Sequence, residues 1–225
     1  MREKIIEAYK TICNKGLVIF SWGNISVKQE NNILITPSGI SVDLLSPNKI
    51  VEVNYNKEYK GDFKPSVDTG IHLELYKSFD NINSIIHTHS PYVTSFAQAR
   101  KSIPCLGTTH ADYFYQDIPI ARDLNKDEIF RDFEKYTGKS VVDTFKNLNI
   151  NSNNMKACLL PNHGSLVWGE SLEKCLENAL VLEEIAKLAY RTLTLISPNT
   201  KPFMDINIIN KHFNRKNGKN KYYGQ

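Results

Sequence analysis

The spacing of apolar residues changes repeatedly along the chain, and each change predicts an element. Ile5, Tyr9, Ile12 and Cys13 recur at helical intervals, and Gly16 stands where a helix C-terminus favours left-handed backbone. Three brief β-branched runs follow, Ile25 to Val27, Ile33 to Ile35 and Ile50 to Val53, bounded by Gly, Asn, Pro and Ser as short strands are. A helix is expected over Thr69 to Phe79, a buried strand over Ser84 to Thr88 and a helix over Tyr92 to Ala99, before Pro104 and Gly107 break the chain ahead of Thr108. Strands at Ala157 to Leu160 and Leu166 to Trp168 precede the longest apolar stripe, which runs from Leu172 through Ala179 and Ala186 to Leu193. Ser171 is its expected N-cap and Pro198 its stop. The pattern describes a mixed α/β chain whose sheet is covered by helices.

Composition narrows the class. With 225 residues, 41% of them apolar and 23% charged, the chain suits one substantial domain, and no repeat or Gly/Ser-rich linker divides it. We therefore expect a single domain over residues 1–225, with 199–225 as a C-terminal extension. No apolar run approaches the roughly 20 residues of a membrane span. The opening Met-Arg-Glu-Lys-Ile-Ile-Glu lacks the order of a secretory signal, so a cytoplasmic protein without membrane partners is expected. Cys13, Cys105, Cys158 and Cys175 are widely spaced and read as reduced core thiols.

The net charge of +4 resides in the end of the chain. Residues 201–225 hold Lys201, Lys211, Arg215, Lys216, Lys219 and Lys221 against Asp205 alone, which leaves the rest close to neutral. A nucleic-acid partner is not expected, because the tail aromatics Phe213, Tyr222 and Tyr223 form no recognisable stacking platform.

Chemistry concentrates at histidines. His87 and His89 end the apolar run Ile82 to Ile86, and residues two apart on a strand project from one face, so both imidazoles can address one ion. A bare H-x-H is weak evidence; His163, in Pro161-Asn162-His163-Gly164 between two strands, adds a third ligand. Gly164 there lets the backbone turn and present the histidine. Three neutral imidazoles with an open position are the donor set of a catalytic zinc site. Asp68, just before a predicted helix, is either an N-cap or a fourth group beside the metal. Three small-residue segments, Ser21 to Ser26, Thr36 to Gly39 and Pro65 to Val67, could cradle an anion on backbone N–H groups, although each alone is ordinary turn chemistry.

Taken in order, these segments resemble the class II aldolase/adducin family. Two further motifs, Gly107-Thr108-Thr109-His110-Ala111-Asp112-Tyr113-Phe114-Tyr115 and the ending Lys211-His212-Phe213-Asn214-Arg215-Lys216 to Lys221-Tyr222-Tyr223-Gly224-Gln225, resemble its L-ribulose-5-phosphate 4-epimerase branch. The resemblance implies a three-layer α/β fold with a mostly antiparallel central sheet. It also implies a homotetramer with active sites between subunits and a divalent metal, Zn2+ or another such as Mn2+. It assigns His87, His89, His163 and Asp68 to the metal, and Gly23, Asn24, Ser38, Gly39, Ser66 and Val67 to phosphate and substrate contacts. Asp112 and Tyr223 become the acid/base pair, with Thr108 and His212 as supporting residues at the subunit boundary. The extension 199–225 would thus contribute to the active site. Two positions depart from the branch: Thr36 stands where epimerases carry lysine, and Val67 replaces a serine. The implied alternatives are a sugar-phosphate aldolase of the fuculose- or rhamnulose-phosphate type and a non-enzymatic adducin-like scaffold.

Overall fold

Burial on both faces forces the middle of the chain into a covered sheet. Every residue of β4 (Ser84–Thr88), β5 (Ala157–Leu160) and β6 (Gly164–Gly169) is buried, as a strand sandwiched between layers requires. A computed structural model describes residues 1–197, 199–200 and 202–223. Pro198, the expected helix stop, and Gly224 and Gln225 of the terminal motif lie outside the described residues.

With β1 (Gly23–Lys28), β2 (Asn32–Ile35) and β3 (Val51–Asn54), these strands form one antiparallel sheet in the order β3-β2-β1-β4-β6-β5. Among the described residues seven α-helices flank it: α1 (Arg2–Asn14), α2 (Thr69–Ser78), α3 (Pro91–Gln98), α4 (Thr108–Tyr113), α5 (Lys126–Asn147), α6 (Leu172–Leu195) and α7 (Ile206–Asn217). Ser26, Ile85 and Trp168 stand opposite one another across β1, β4 and β6 and therefore share a face. Ser26 meets His72 and Tyr76 of α2, and Trp168 packs against Phe79 and against Phe145 of α5. Helices α1, α3 and α6 pack together and against the sheet. The Cys175 thiol of α6 reaches the Val167 carbonyl, and Val167 alternates with Trp168 across the pleat, so the layers are α2 and α5, the sheet, then α1, α3 and α6. No described helix is long and apolar enough to cross a membrane.

Most expected elements agree with the structure to within a residue or two. Gly16 adopts φ +74 after α1, and the Ser171 side chain caps α6 by accepting from the Lys174 N–H. Cys105, Cys158 and Cys175 are free and buried, and Cys13 is free and half-buried. Three helices went unpredicted, the short α4 (Thr108–Tyr113) among them. Helix α5 opens with a reciprocal capping box between Asn125 and Glu128, but its first half buries no residue, leaves Ile129, Phe130 and Phe133 exposed, and its backbone kinks at Asp132. Helix α7 is rich in asparagine, a poor helix former, and turns only Ile209 and Phe213 inward.

Close helix packing depends on one glycine. A Cβ at Gly138 of α5 would lie 2.8 Å from the Ile71 carbonyl oxygen and 2.8 Å from the Glu74 Cβ, both on α2. Gly138→Ala should therefore separate the pair at a cost of about 1–3 kcal/mol. A fall of several degrees in the calorimetric midpoint is expected; an unchanged midpoint would show that the crossing has slack.

Candidate functional site

The register of β1, β4 and β6 builds the centre of the site. Asn24 of β1 and Leu166 of β6 lie directly opposite His87, which β4 places on the α2 face, and His89 follows just past the strand end. His163 enters from the β5–β6 turn. The left-handed residue of that turn is Asn162, at φ 59, rather than Gly164. The glycine serves a close approach instead, since a Cβ there would lie 2.4 Å from the Thr88 carbonyl oxygen and 3.2 Å from His89 Cδ2. Gly23 is similarly tight, its absent Cβ 2.8 Å from the His87 carbonyl oxygen. The loop carrying His89 into α3 is tied to α6, because the Glu183 carboxylate accepts from the N–H groups of Tyr92 and Val93 at 3.0 and 3.1 Å.

Ligand nitrogens of His87, His89 and His163 all lie within 4.8 Å of one another. His87 is buried and donates its Nδ1 proton to the Ser165 carbonyl at 2.9 Å, which leaves Nε2 as the lone-pair atom. That atom is 2.9 Å from His89 Nε2, close to the roughly 3.3 Å separating neighbouring nitrogens on a tetrahedral zinc. Burial pushes His87 down to about 3 and lowers His89 and His163, so all three present neutral imidazoles near neutral pH. The donor set fits a divalent metal.

Asp68 occupies the N-cap position of α2, yet its side chain makes no capping hydrogen bond. It turns to the histidines instead, with Oδ2 3.8 Å from His87 Nε2 and accepting from Asn24 Nδ2 at 2.7 Å. Burial alone would raise its pKa; the neighbouring His87 and His72 and the Asn24 amide outweigh it and hold the carboxyl below its usual range. Beneath it, His72 bonds Ser26 Oγ at 2.7 Å, and burial pushes it down to about 4.

Two of the segments expected to cradle an anion are zipped together beside Asp68. Ser38 N donates to the Lys64 carbonyl and Ser66 N to that of Thr36, at 3.0 and 3.1 Å. Ser38, Gly39 and Val67 are exposed, whereas Ser66 is buried and its Oγ accepts from Asp68 N. Thr36 is buried and its hydroxyl accepts from Ile25 N at 3.2 Å, so it holds β1 to β2 rather than facing a ligand.

Asp112 belongs to a second cluster, on α4 and α7. It is buried and receives both Nε and Nη2 of Arg215, at 2.8 and 2.7 Å, with His212 Nδ1 at 3.2 Å. The guanidinium carbon of Arg215 lies over the Tyr223 ring, 4.3 Å from its centroid, and exposed Thr108 opens α4. Arg215 was missed as a site residue, because within a basic tail it is indistinguishable from a solvated charge. No described hydrogen bond or ion pair joins the two clusters. Helices α4 and α7 border a cavity with Asn83 and Gly169. Those positions are four residues along β4 and β6 from the histidine end, or about 14 Å.

The family model described as Class II Aldolase and Adducin N-terminal domain matches residues 3–190, and the chain belongs to that family. Among solved structures it is similar to an L-fuculose 1-phosphate aldolase, with 23% identity, a TM-score of 0.78, and 93% of this chain and 94% of that one covered. YgbL from Escherichia coli, for which aldolase, epimerase and decarboxylase activities are all named, is 24% identical with a TM-score of 0.72 over 93% and 96% of the chains. An L-fuculose-1-phosphate aldolase from Thermus thermophilus is 20% identical with a TM-score of 0.65 over 88% and 97%. These likenesses establish the class II aldolase fold. Residues 206–217, the whole of α7, lie beyond the family match.

Two buried histidines outside the triad make acid stability predictable. Burial pushes His110 down to about 4, like His72, against an unfolded value near 6.5. The unfolded chain then binds more protons below pH 6.5, so the stability these groups contribute is full above that pH and is lost as pH falls toward 4. The thermal midpoint should decline through this window in a calorimetric pH series; a flat profile would mean that these imidazoles are protonated in the folded state.

Proposed function

We propose that the chain is a metal-dependent L-ribulose-5-phosphate 4-epimerase, interconverting L-ribulose 5-phosphate and D-xylulose 5-phosphate by breaking and remaking the C3–C4 bond. The observation that carries this reading is the second cluster, where Asp112 and Tyr223 meet around Arg215 on the two motifs that resemble the epimerase branch. The alternative is a sugar-phosphate aldolase, favoured by the fold it shares with L-fuculose 1-phosphate aldolases. An adducin-like scaffold has no use for three convergent imidazoles.

The stereocentre at C4 is not adjacent to the carbonyl, so direct deprotonation there would give an unstabilised anion. Cleavage of C3–C4 avoids this. His87, His89 and His163 would hold Zn2+ or another divalent ion such as Mn2+, with Asp68 as the adjoining carboxylate. When bound, the ion supplies Lewis-acid stabilisation of negative charge on the carbonyl-bearing fragment. Gly23, Asn24, Ser38, Gly39, Ser66 and Val67 would hold the phosphate and sugar, so that the aldehyde fragment turns over without leaving. Asp112 and Tyr223 would move the C4 hydroxyl proton, one on each face of the aldehyde. Their separation from the histidines within one chain supports a homotetramer in which Asp112, Tyr223, Thr108 and His212 of one copy complete the metal site of the next. On this reading residues 1–225 act as one domain, and 199–225 form part of the site.

Tyr223→Phe should lower kcat about 100-fold or more with zinc content unchanged, whereas His87→Asn, His89→Asn and His163→Asn should each reduce bound zinc. Elemental analysis with the pentulose-phosphate assay reads both, and full activity in Tyr223→Phe would remove it from the mechanism. Release of a free aldehyde, without interconversion of the two pentulose phosphates, would favour the aldolase. Mixing the inactive His87→Asn and Asp112→Asn chains should restore turnover that neither has alone. A mixture that stays inactive would place the complete site within one chain.

A further inference from the structure

Four lysines and two glutamates surround a cavity that the proposed reaction does not use. It measures about 570 Å³ and lies at the Asn83–Gly169 end of β4 and β6, opposite the histidine end. Its volume falls within the range of small-molecule sites. Lys156, Lys174, Lys216 and Lys221 face Glu170 and Glu177 around it.

The charges are unevenly paired. Glu177 takes a hydrogen bond from the Tyr113 hydroxyl at 2.7 Å, and Lys174 and Lys216 approach it at 2.9 and 3.5 Å. One carboxylate therefore serves two ammonium groups. Lys156 is half-buried, and its ammonium makes no hydrogen bond or ion pair among the described residues; burial lowers its pKa. Lys221 also has no described ion-pair partner, and the side-chain amides of Asn153 and Asn154 have no described hydrogen bonds. A cavity with surplus positive charge and free amides offers what a phosphate with adjacent hydroxyls requires, charge-assisted donors on one side and neutral donors and acceptors on the other.

We infer that this cavity binds a small phosphorylated polyol. Lys156 and Lys221 take the phosphate, and the asparagine amides take the hydroxyls. The walls come from the α2–β4 loop, the segment before β5, the β6–α6 corner and the α4–α7 pair, so an occupant bridges them. Asn217 of α7 both lines the cavity and donates to the Asp112 carbonyl at 2.8 Å, which brings the occupant within one residue of the second cluster.

Calorimetric titration of the full chain with glycerol 3-phosphate tests this directly, with glycerol as the uncharged control. Wild type should give a binding event that glycerol does not, Lys156→Gln should weaken that event about tenfold, and Lys156→Arg should retain it. Ser66→Ala, which alters only the proposed phosphate site of the reaction, should leave this Lys156-dependent event unchanged. The absence of any Lys156-dependent event, or its loss in Ser66→Ala, would each overturn the assignment. The readout is binding rather than turnover, so an enzyme that proved to be an aldolase would leave the result intact.

Discussion

The hydrogen bond from His87 Nδ1 to the Ser165 carbonyl sets the chemistry of the centre. It fixes which nitrogen bears the lone pair, and it can form only because β4 and β6 pair with Thr88 opposite Ser165. A slip of one residue would turn His87 to the α1/α3/α6 face and remove it from His89, His163 and Asp68 together. The tight approach of Gly164 to Thr88 and of Gly23 to His87 guards that register from both neighbouring strands. Burial, which would be hostile to a charged histidine, here keeps the imidazole neutral and able to coordinate.

Much of this was legible in the chain because its signals are local. Strand β4 was readable from a short apolar run ending in His-Thr-His, and α6 from an apolar stripe with Ser171 at its start. The histidine triad followed from residue chemistry, and its convergence from pairing between strands almost 80 residues apart. Other features depend on contacts that no window reveals. Asp68 satisfies every local rule for an N-cap and is nevertheless drawn away by Asn24 and His87. Arg215 acquires its meaning only from a carboxylate 103 residues earlier. Helix α5 was obscured because the apolar residues of its first half stay exposed and burial begins only at Thr137, after the kink at Asp132.

The second cluster is organised on a different principle. The three histidines are held by a sheet, whereas Asp112 is held by one short helix braced against another. Three side chains of α7, His212, Arg215 and Asn217, converge on the single residue Asp112, using both carboxylate oxygens and its main-chain carbonyl. The carboxylate is therefore oriented by charge and hydrogen bonding where the histidines are oriented by strand register.

That clamp also sets an order of events during synthesis. Asp112 emerges from the ribosome as a carboxylate destined for burial, and its compensating guanidinium follows only 103 residues later. At typical elongation rates this is a delay of about 5 to 20 s. During that interval the sheet and the histidine triad can already be complete, while α4 has no reason to settle. A nascent or truncated chain lacking α7 would thus be able to bring the three imidazoles together before it could position Asp112, so the two clusters would form one after the other.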